Sequence, residues 1–439
     1  MAALRTGGGL PDVVVTAVAS TTALAADAEE TWQQLLEGAS GIRALDKAFV
    51  DDFDSPVRIG GPLHESFDEH LNRVELRRLS YMQKMSTVLG RRLWSAAGSP
   101  EVDPKRLMVS AGLALGNTEE IVFQNDEWEK RGLRAVSPLA VQMFMPNGPA
   151  AAVGLDRGAK AGVIAPVMAD ASGAAAIAQA WQHIVLGEAD VAICGGVETW
   201  IEPVPVGAFT QLGLMSTHND DPAGACRPVD VDRDGMVLAE GGALMLIETG
   251  EHATARGAQI LARLMGAAMN CDGYDPVGPD PSGERAADAI AHAIELAGVS
   301  RTDIDHVNAH ATGTALGDLA EARAIRRAFG GHAPAVYAPK AALGHSLGAA
   351  GAVEAVLAVQ ALRDGVVPPT LFERHVVALI ETRNCRFAWG PGTVRRTRST
   401  CRSGPGRPRT PAAFSSPPTR SQPSAVDLLF STDVFNHIT

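Results

Sequence analysis

Apolar positions along the chain fall into short β-branched runs that alternate with longer stretches of helical period. Residues 12–18 (DVVVTAV), 107–111 (LMVSA), 161–165 (AGVIA), 190–194 (DVAIC) and 243–248 (ALMLIE) read as strands in a buried sheet. Helical patterns lie between them. One covers 28–37, with Asp27 as its cap and Gly38 as its stop; another covers 172–187. A third covers 73–94, with Leu76, Leu79, Met82, Met85 and Leu89 on one side and Arg73, Arg77, Arg78, Lys84, Arg91 and Arg92 on the other. The order then repeats: strand 260–269, helix 283–297, strand 304–308, helix 316–328, strand 334–338, helix 348–363. The first series ends with two further strands after its third helix. The second runs instead into residues 393–424, which carry seven Arg, six Pro and no acid, a composition that cannot bury enough apolar surface to fold. The pattern predicts an N-terminal half over 1–255, a C-terminal half over 256–371 and a disordered tail over 372–439.

The turn at 169–173 is the organising feature. It joins a strand to a helix N-terminus, where unpaired N–H groups and a partial positive charge activate a nucleophile. A thiol there would be held as thiolate. The residue present is Asp170. Its plainest role is to N-cap the following helix. The segment NAHATGT places His310 directly after a strand, and APKAALGHS places Lys340 and His345 after the next. Asp318 and Glu321 open the helix that follows His310. They serve either as its cap and dipole partners or as supports of the histidine loops. Asp170, His310 and His345 also make a two-histidine, one-carboxylate set, but no other feature points to a metal, and none is expected.

A further motif, RPxDxxRDGxVxxEGG, is carried by Arg227, Pro228, Asp230, Arg233, Asp234, Gly235, Val237, Glu240, Gly241 and Gly242. With ADASG, HATGT and PKAALGHS it resembles the β-ketoacyl-acyl carrier protein synthases, and within them the mycobacterial enzymes that extend meromycolate chains. The resemblance implies a thiolase-like α/β fold, two βαβαβαββ halves in five αβαβα layers. It also implies 3-oxoacyl-acyl carrier protein synthase activity, the decarboxylative condensation of an acyl thioester with malonyl-acyl carrier protein in long-chain fatty or mycolic acid elongation. No cofactor is implied. The implied partners are acyl carrier protein and a second subunit, either a copy of this chain or an intact homologue. The Arg-rich face of 73–94 is either a solvated face or a docking patch for the acidic carrier. In the family a cysteine at the position of Asp170 takes the acyl group, His310 and His345 match the enolate-binding pair, and Lys340 tunes them, with Asp318 and Glu321 behind.

Departures from the family are equally specific. The cysteine is Asp170, which is expected to impair turnover and to favour protonated histidines. A non-catalytic or decarboxylating partner and a decayed copy are the other readings. Cys194, at a strand end, reads as a core residue rather than a replacement nucleophile. Val229 and Met236 stand where phenylalanines are usual, and Ala239 where glycine is. No Gly-Phe-Gly occurs, so half of the family's backbone oxyanion hole has no counterpart, and the last two strands are apparently replaced by the tail. The abrupt change of composition near residue 372 suggests a shift of reading frame.

Composition narrows the setting. The formal charge of −12 combines +6 in residues 372–439 (ten Arg against four acids) with −18 in the remainder, which argues against nucleic acid as a partner of the folded part. No apolar run approaches the roughly 20 residues of a membrane span. Five cysteines without a CxxC or an even framework suggest a reduced, cytoplasmic setting. The run VVVTAVASTTALAA reads as a core strand rather than a secretion signal.

Overall fold

Strands β1 (Val13–Thr21), β2 (Leu107–Gly112), β3 (Gly162–Ile164), β4 (Val191–Glu198) and β5 (Gly241–Thr249) carry the N-terminal half. The C-terminal half contributes β6 (Ala262–Cys271), β7 (His306–Asn308), β8 (Ala335–Tyr337) and β9 (Asp427–Val434). The computed structural model describes residues 10–371 and the segments Arg386–Phe387, Arg395–Arg396 and Asp427–Val434. One seven-stranded sheet runs β9-β6-β1-β5-β4-β2-β3. Strand β2 pairs parallel with β3 and β4, while β5 is antiparallel to both β4 and β1. Strand β6 joins the halves by pairing antiparallel with β1 at Val14↔Arg263 and Val15↔Ala262. Every residue of β4 is buried, as expected of a strand covered on both faces.

Two helices fill the centre. The Ser172–Val185 helix lends Ile177, Ala180, Trp181 and Ile184 to a core that the Ala350–Asp364 helix completes with Val353, Val356 and Leu357. Their N-termini are built almost wholly from small residues, and this lets the backbones touch. A Cβ on Gly173 would sit 2.8 Å from the Gly348 carbonyl oxygen, and one on Gly351 would sit 2.7 Å from the Ala174 Cβ. The opposite face of the sheet is covered by the Tyr81–Ala96 helix, whose Met82, Met85, Leu89 and Leu93 pack on Val109, Ile193 and Leu246. In the second half, Ile325 and Phe329 of the Ala315–Phe329 helix close over Val336 and Ala338.

Three sequence expectations need correction. The stretch 73–94 is not one helix. It breaks at Leu79, whose extended backbone separates Arg73–Arg78 from Tyr81–Ala96. Each piece starts with its own capping box, Asn72 with Glu75 and Ser80 with Gln83, so local side-chain bonds outweigh the continuous apolar period. Much of the expected basic face is also internally paired: Arg91 with Glu75 and Asp156, Arg92 with Glu65, Lys84 with Asp68.

The expected loss of the last strands is corrected in part. Strand β9 pairs with β6 from Asp427↔Arg263 to Val434↔Cys271. Its sequence, DLLFSTDV, is strand-forming, and β6 offers it an open edge. Yet the pairing is parallel, whereas β1 and β5, the first and last strands of the N-terminal half, pair antiparallel. Strands β7 and β8 belong to a separate three-stranded sheet completed by Arg386–Phe387. In the N-terminal half, by contrast, β5, β4 and β2 are continuous. Arg395–Arg396 pairs antiparallel with Val366–Val367; the remainder of the 372–439 tail, and with it the expectation of disorder there, lies outside the described residues.

Candidate active site

Three loops meet where the two central helices begin. Asp170 sits two residues before the Ser172–Val185 helix, His345 five residues before the Ala350–Asp364 helix, and His310 two residues beyond β7. The glycine-mediated approach of the helices therefore brings Asp170 to His345, and parallel pairing of β7 with β8 sets His310 beside Lys340. The Asp170 Oδ2 lies 3.2 Å from His345 Nε2 and 3.4 Å from His310 Nε2. The imidazoles stand edge to face, centroids 5.2 Å apart. His345 is wholly buried and Asp170 nearly so, whereas a quarter of the His310 side chain is exposed, so the site opens to solvent on that side.

Asp170 does not cap its helix. Ala171 holds the cap position and makes no side-chain bond there. Ser172 does the local work: its hydroxyl accepts from the Met168 N–H at 2.7 Å and donates to the Ala169 carbonyl at 2.6 Å. With the turn secured in this way, the Asp170 carboxylate is turned to the histidines.

Hydrogen-bond partners assign the histidine tautomers. The Leu347 N–H donates to His345 Nδ1 at 3.3 Å, and the Lys340 ammonium stands 3.4 Å from His310 Nδ1. Both Nδ1 atoms thus face donors and act as acceptors, which leaves the hydrogen of each neutral ring on Nε2. His345 Nε2–H donates to an Asp170 carboxylate oxygen, and His310 Nε2 faces the same oxygen at the longer distance of 3.4 Å. Burial and the nearby Lys340 hold His310 down at about 4, outweighing Asp170. Asp170 does favour the protonated form of His310, as expected, but burial and Lys340 outweigh it. The three side chains are close enough to share a metal ion, but a cation needs lone pairs on Nε2. Moving both hydrogens to Nδ1 would set them against the N–H groups of Leu347 and Lys340. With the hydrogens on Nε2, the arrangement offers donors to an anion or a carbonyl oxygen.

Lys340 is buried and ion-paired with Glu354 at 2.6 Å. Sequence reading missed Glu354; its one signal was a lone acid in the otherwise apolar run AVEAVLAVQ. Burial raises Glu354, while Lys340 opposes the rise. Glu321 accepts the N–H groups of His310 and Ala311, each at 2.7 Å, and so braces the His310 loop. Asp318 neither caps its helix nor reaches the histidines. It accepts from Gly313 N–H at 3.0 Å and Val229 N–H at 2.6 Å, tying the HATGT loop to the RPVDVDRDG loop, with Arg233 Nε 3.4 Å away. Burial pushes Asp318 up to about 7 against these donors. Glu198 was also missed: fully buried, it accepts the Ala114 N–H and holds the GLALGN loop, and burial pushes it up to about 8. Cys194 and Cys226 are fully buried and their thiols are pushed upward, so neither is a ready nucleophile.

Backbone strain gathers around the three loops. Ala169 precedes Asp170 at φ 47°, Ala311 follows His310 at φ 29°, and Leu347 lies two residues after His345 at φ 45°. A residue other than glycine costs on the order of 1–3 kcal/mol in such a conformation, and persists there only when its surroundings over-determine it.

Fold and site together define a condensing-enzyme architecture, and the comparisons agree. The N-terminal domain of beta-ketoacyl synthase matches residues 11–253 and its C-terminal domain residues 261–372. The chain belongs to the beta-ketoacyl synthase family, acyl-transferring condensing enzymes of fatty acid elongation. It is 67% identical over 372 residues to the 3-oxoacyl-acyl-carrier-protein synthase 2 of Mycobacterium tuberculosis, covering 84% of this chain and 89% of that one. Against the Mycobacterium leprae protein of the same name it is 65% identical over 369 residues, covering 84% and 88%. A crystal structure of a beta-ketoacyl synthase from Burkholderia phymatum superposes with a TM-score of 0.78 at 29% identity, covering 88% of this chain and 93% of that one. The fold is thiolase-like α/β. No helix among the described residues is long and apolar enough to cross a membrane.

Proposed function

We propose that this chain is a 3-oxoacyl-acyl carrier protein synthase by descent, of long-chain fatty or mycolic acid elongation, whose condensation is impaired at its first step. One observation carries the reading: Asp170 Oδ2 stands between His345 Nε2 and His310 Nε2, 3.2 and 3.4 Å away, at the turn where the nucleophile belongs.

Condensation needs a thiolate to accept the acyl group and two donors to hold the enolate oxygen left when malonyl thioester loses CO₂. Asp170 supplies no thiolate, and an acyl-aspartyl anhydride is less stable than the thioester it would replace. The carboxylate also accepts from His345, crowds His310 at 3.4 Å and repels a second carboxylate, that of malonate. Lys340 and Glu354 keep His310 oriented and neutral, so the donor half of the site is retained. Acyl carrier protein is the partner, and Arg73, Arg77 and Arg78, exposed on one short helix, suit its acidic surface. The working form is a dimer in the cytoplasm.

The test is malonyl-dependent elongation of a long-chain acyl-acyl carrier protein by the wild-type chain and by Asp170→Cys. Wild type is expected to give no elongated product and the variant to give some. Elongation by wild type overturns the reading. A soluble variant that takes up acyl groups yet does not elongate places the defect in the C-terminal segment instead.

A further inference from the structure

We infer that the Asp170 site hydrolyses acyl thioesters, releasing free carboxylic acid and carrier thiol. This rests on the preceding reading, that the pocket no longer stores the acyl group on a thiolate.

Thioester hydrolysis needs a base for water and donors for the carbonyl oxygen, and both are built here. His345 Nε2–H donates to Asp170 Oδ2 at 3.2 Å and His310 Nε2 lies 3.4 Å from the same oxygen, so that oxygen marks the place where a carbonyl oxygen would meet both rings. A thioester carbonyl oxygen that takes that place accepts both hydrogen bonds and leaves the displaced carboxylate beside the carbonyl carbon. The histidines cannot be the base, because each Nδ1 faces an N–H donor and each Nε2 carries the hydrogen. Asp170 is the group left for that task. It does not serve its own helix, since Ser172 secures the turn. Water enters on the side where His310 is a quarter exposed.

The step balances without any co-reactant but water. Asp170 takes a proton from water as the hydroxyl oxygen bonds to the carbonyl carbon. The developing oxyanion rests on His310 and His345 Nε2–H. Collapse re-forms the carbonyl, breaks the C–S bond and expels the thiolate, which recovers the proton from Asp170. What disqualifies a carboxylate as an acyl store suits it as a base.

The experiment uses the full chain with palmitoyl-acyl carrier protein and no malonyl donor. Released palmitate and free carrier thiol are measured against buffer. Wild type is expected to release both in equal amounts. Asp170→Asn, which keeps the shape and loses the base, is expected to lower the rate by about 10²-fold. Asp170→Cys is expected to hold the acyl group on the protein, visible as added mass, and to release less acid. This second variant keeps the test decisive if the asparagine protein does not fold. Release by wild type no faster than in buffer overturns the inference, as does equal release by wild type and both variants. Malonyl-dependent elongation is measured on the same preparations, so a wild type that elongates refutes the impaired-condensation reading separately.

Discussion

Asp170 Oδ2 accepts from His345 Nε2 at 3.2 Å, although 175 residues separate them in the chain. The bond places a fixed anion where the surrounding donors are arranged to receive a transient one. Removing that anion therefore changes both the nucleophile and the occupancy of the donors.

Asp170→Cys should yield a thiol of unusual reactivity. It would stand at the N-terminus of a 14-residue helix, beside two N–H donors, a setting that lowers a thiol pKa from about 8.5 toward about 7. Cys194 and Cys226 are buried, with Cys226 pushed up to about 12. Iodoacetamide at neutral pH followed by peptide mapping should find the introduced thiol alkylated well before either. Equal labelling of the three would show that the turn does not activate its residue.

Lys340 and Glu354 form a buried pair whose halves depend on each other. Lys340→Met leaves a carboxylate without its partner and should cost about 3–5 kcal/mol in urea unfolding. Lys340→Met combined with Glu354→Leu should recover most of that loss, because no lone charge remains. A double variant as unstable as the single would assign the cost to packing.

Gly173 fixes the distance between the central helices. A methyl group there meets the Gly348 carbonyl oxygen at 2.8 Å and the Ala352 nitrogen at 3.0 Å, both backbone atoms that cannot rotate away. Gly173→Ala should destabilise the chain by about 1–3 kcal/mol, measured by thermal or chemical unfolding. An unchanged midpoint would mean that the crossing is looser than described.

His310 makes stability depend on acid. Unfolded, it binds a proton near its ordinary 6.5; folded, burial and Lys340 delay this to about 4. Its contribution is complete above pH 6.5 and is lost as pH falls toward 4, because only the unfolded chain gains the proton in that window. His310→Asn should give a shallower decline in unfolding free energy between those pH values. A decline identical to that of wild type would rule out His310 as its source.

The succession of strands and helices was legible because each core run carries its own period. The motifs around His310, Lys340 and His345 were legible because they are contiguous in the chain. What Asp170 does was not. Locally, Asp before a helix is a cap, and only the presence of Ser172 Oγ in the turn releases it from that task. Glu354 was hidden for a related reason: one acid in an apolar helix says nothing of a lysine fourteen residues earlier until the loops fold together. The break at Leu79 shows local capping overruling a period that spans it.

By itself the sequence determined the architecture, the family and the absence of the expected cysteine, since these reside in pattern and residue identity. Tertiary structure alone decided where the Asp170 carboxylate points, which histidine nitrogens carry hydrogen, and how the C-terminal strand pairs. Those outcomes depend on distances between groups far apart in the chain, and such distances are fixed only when small residues let the two central helices meet.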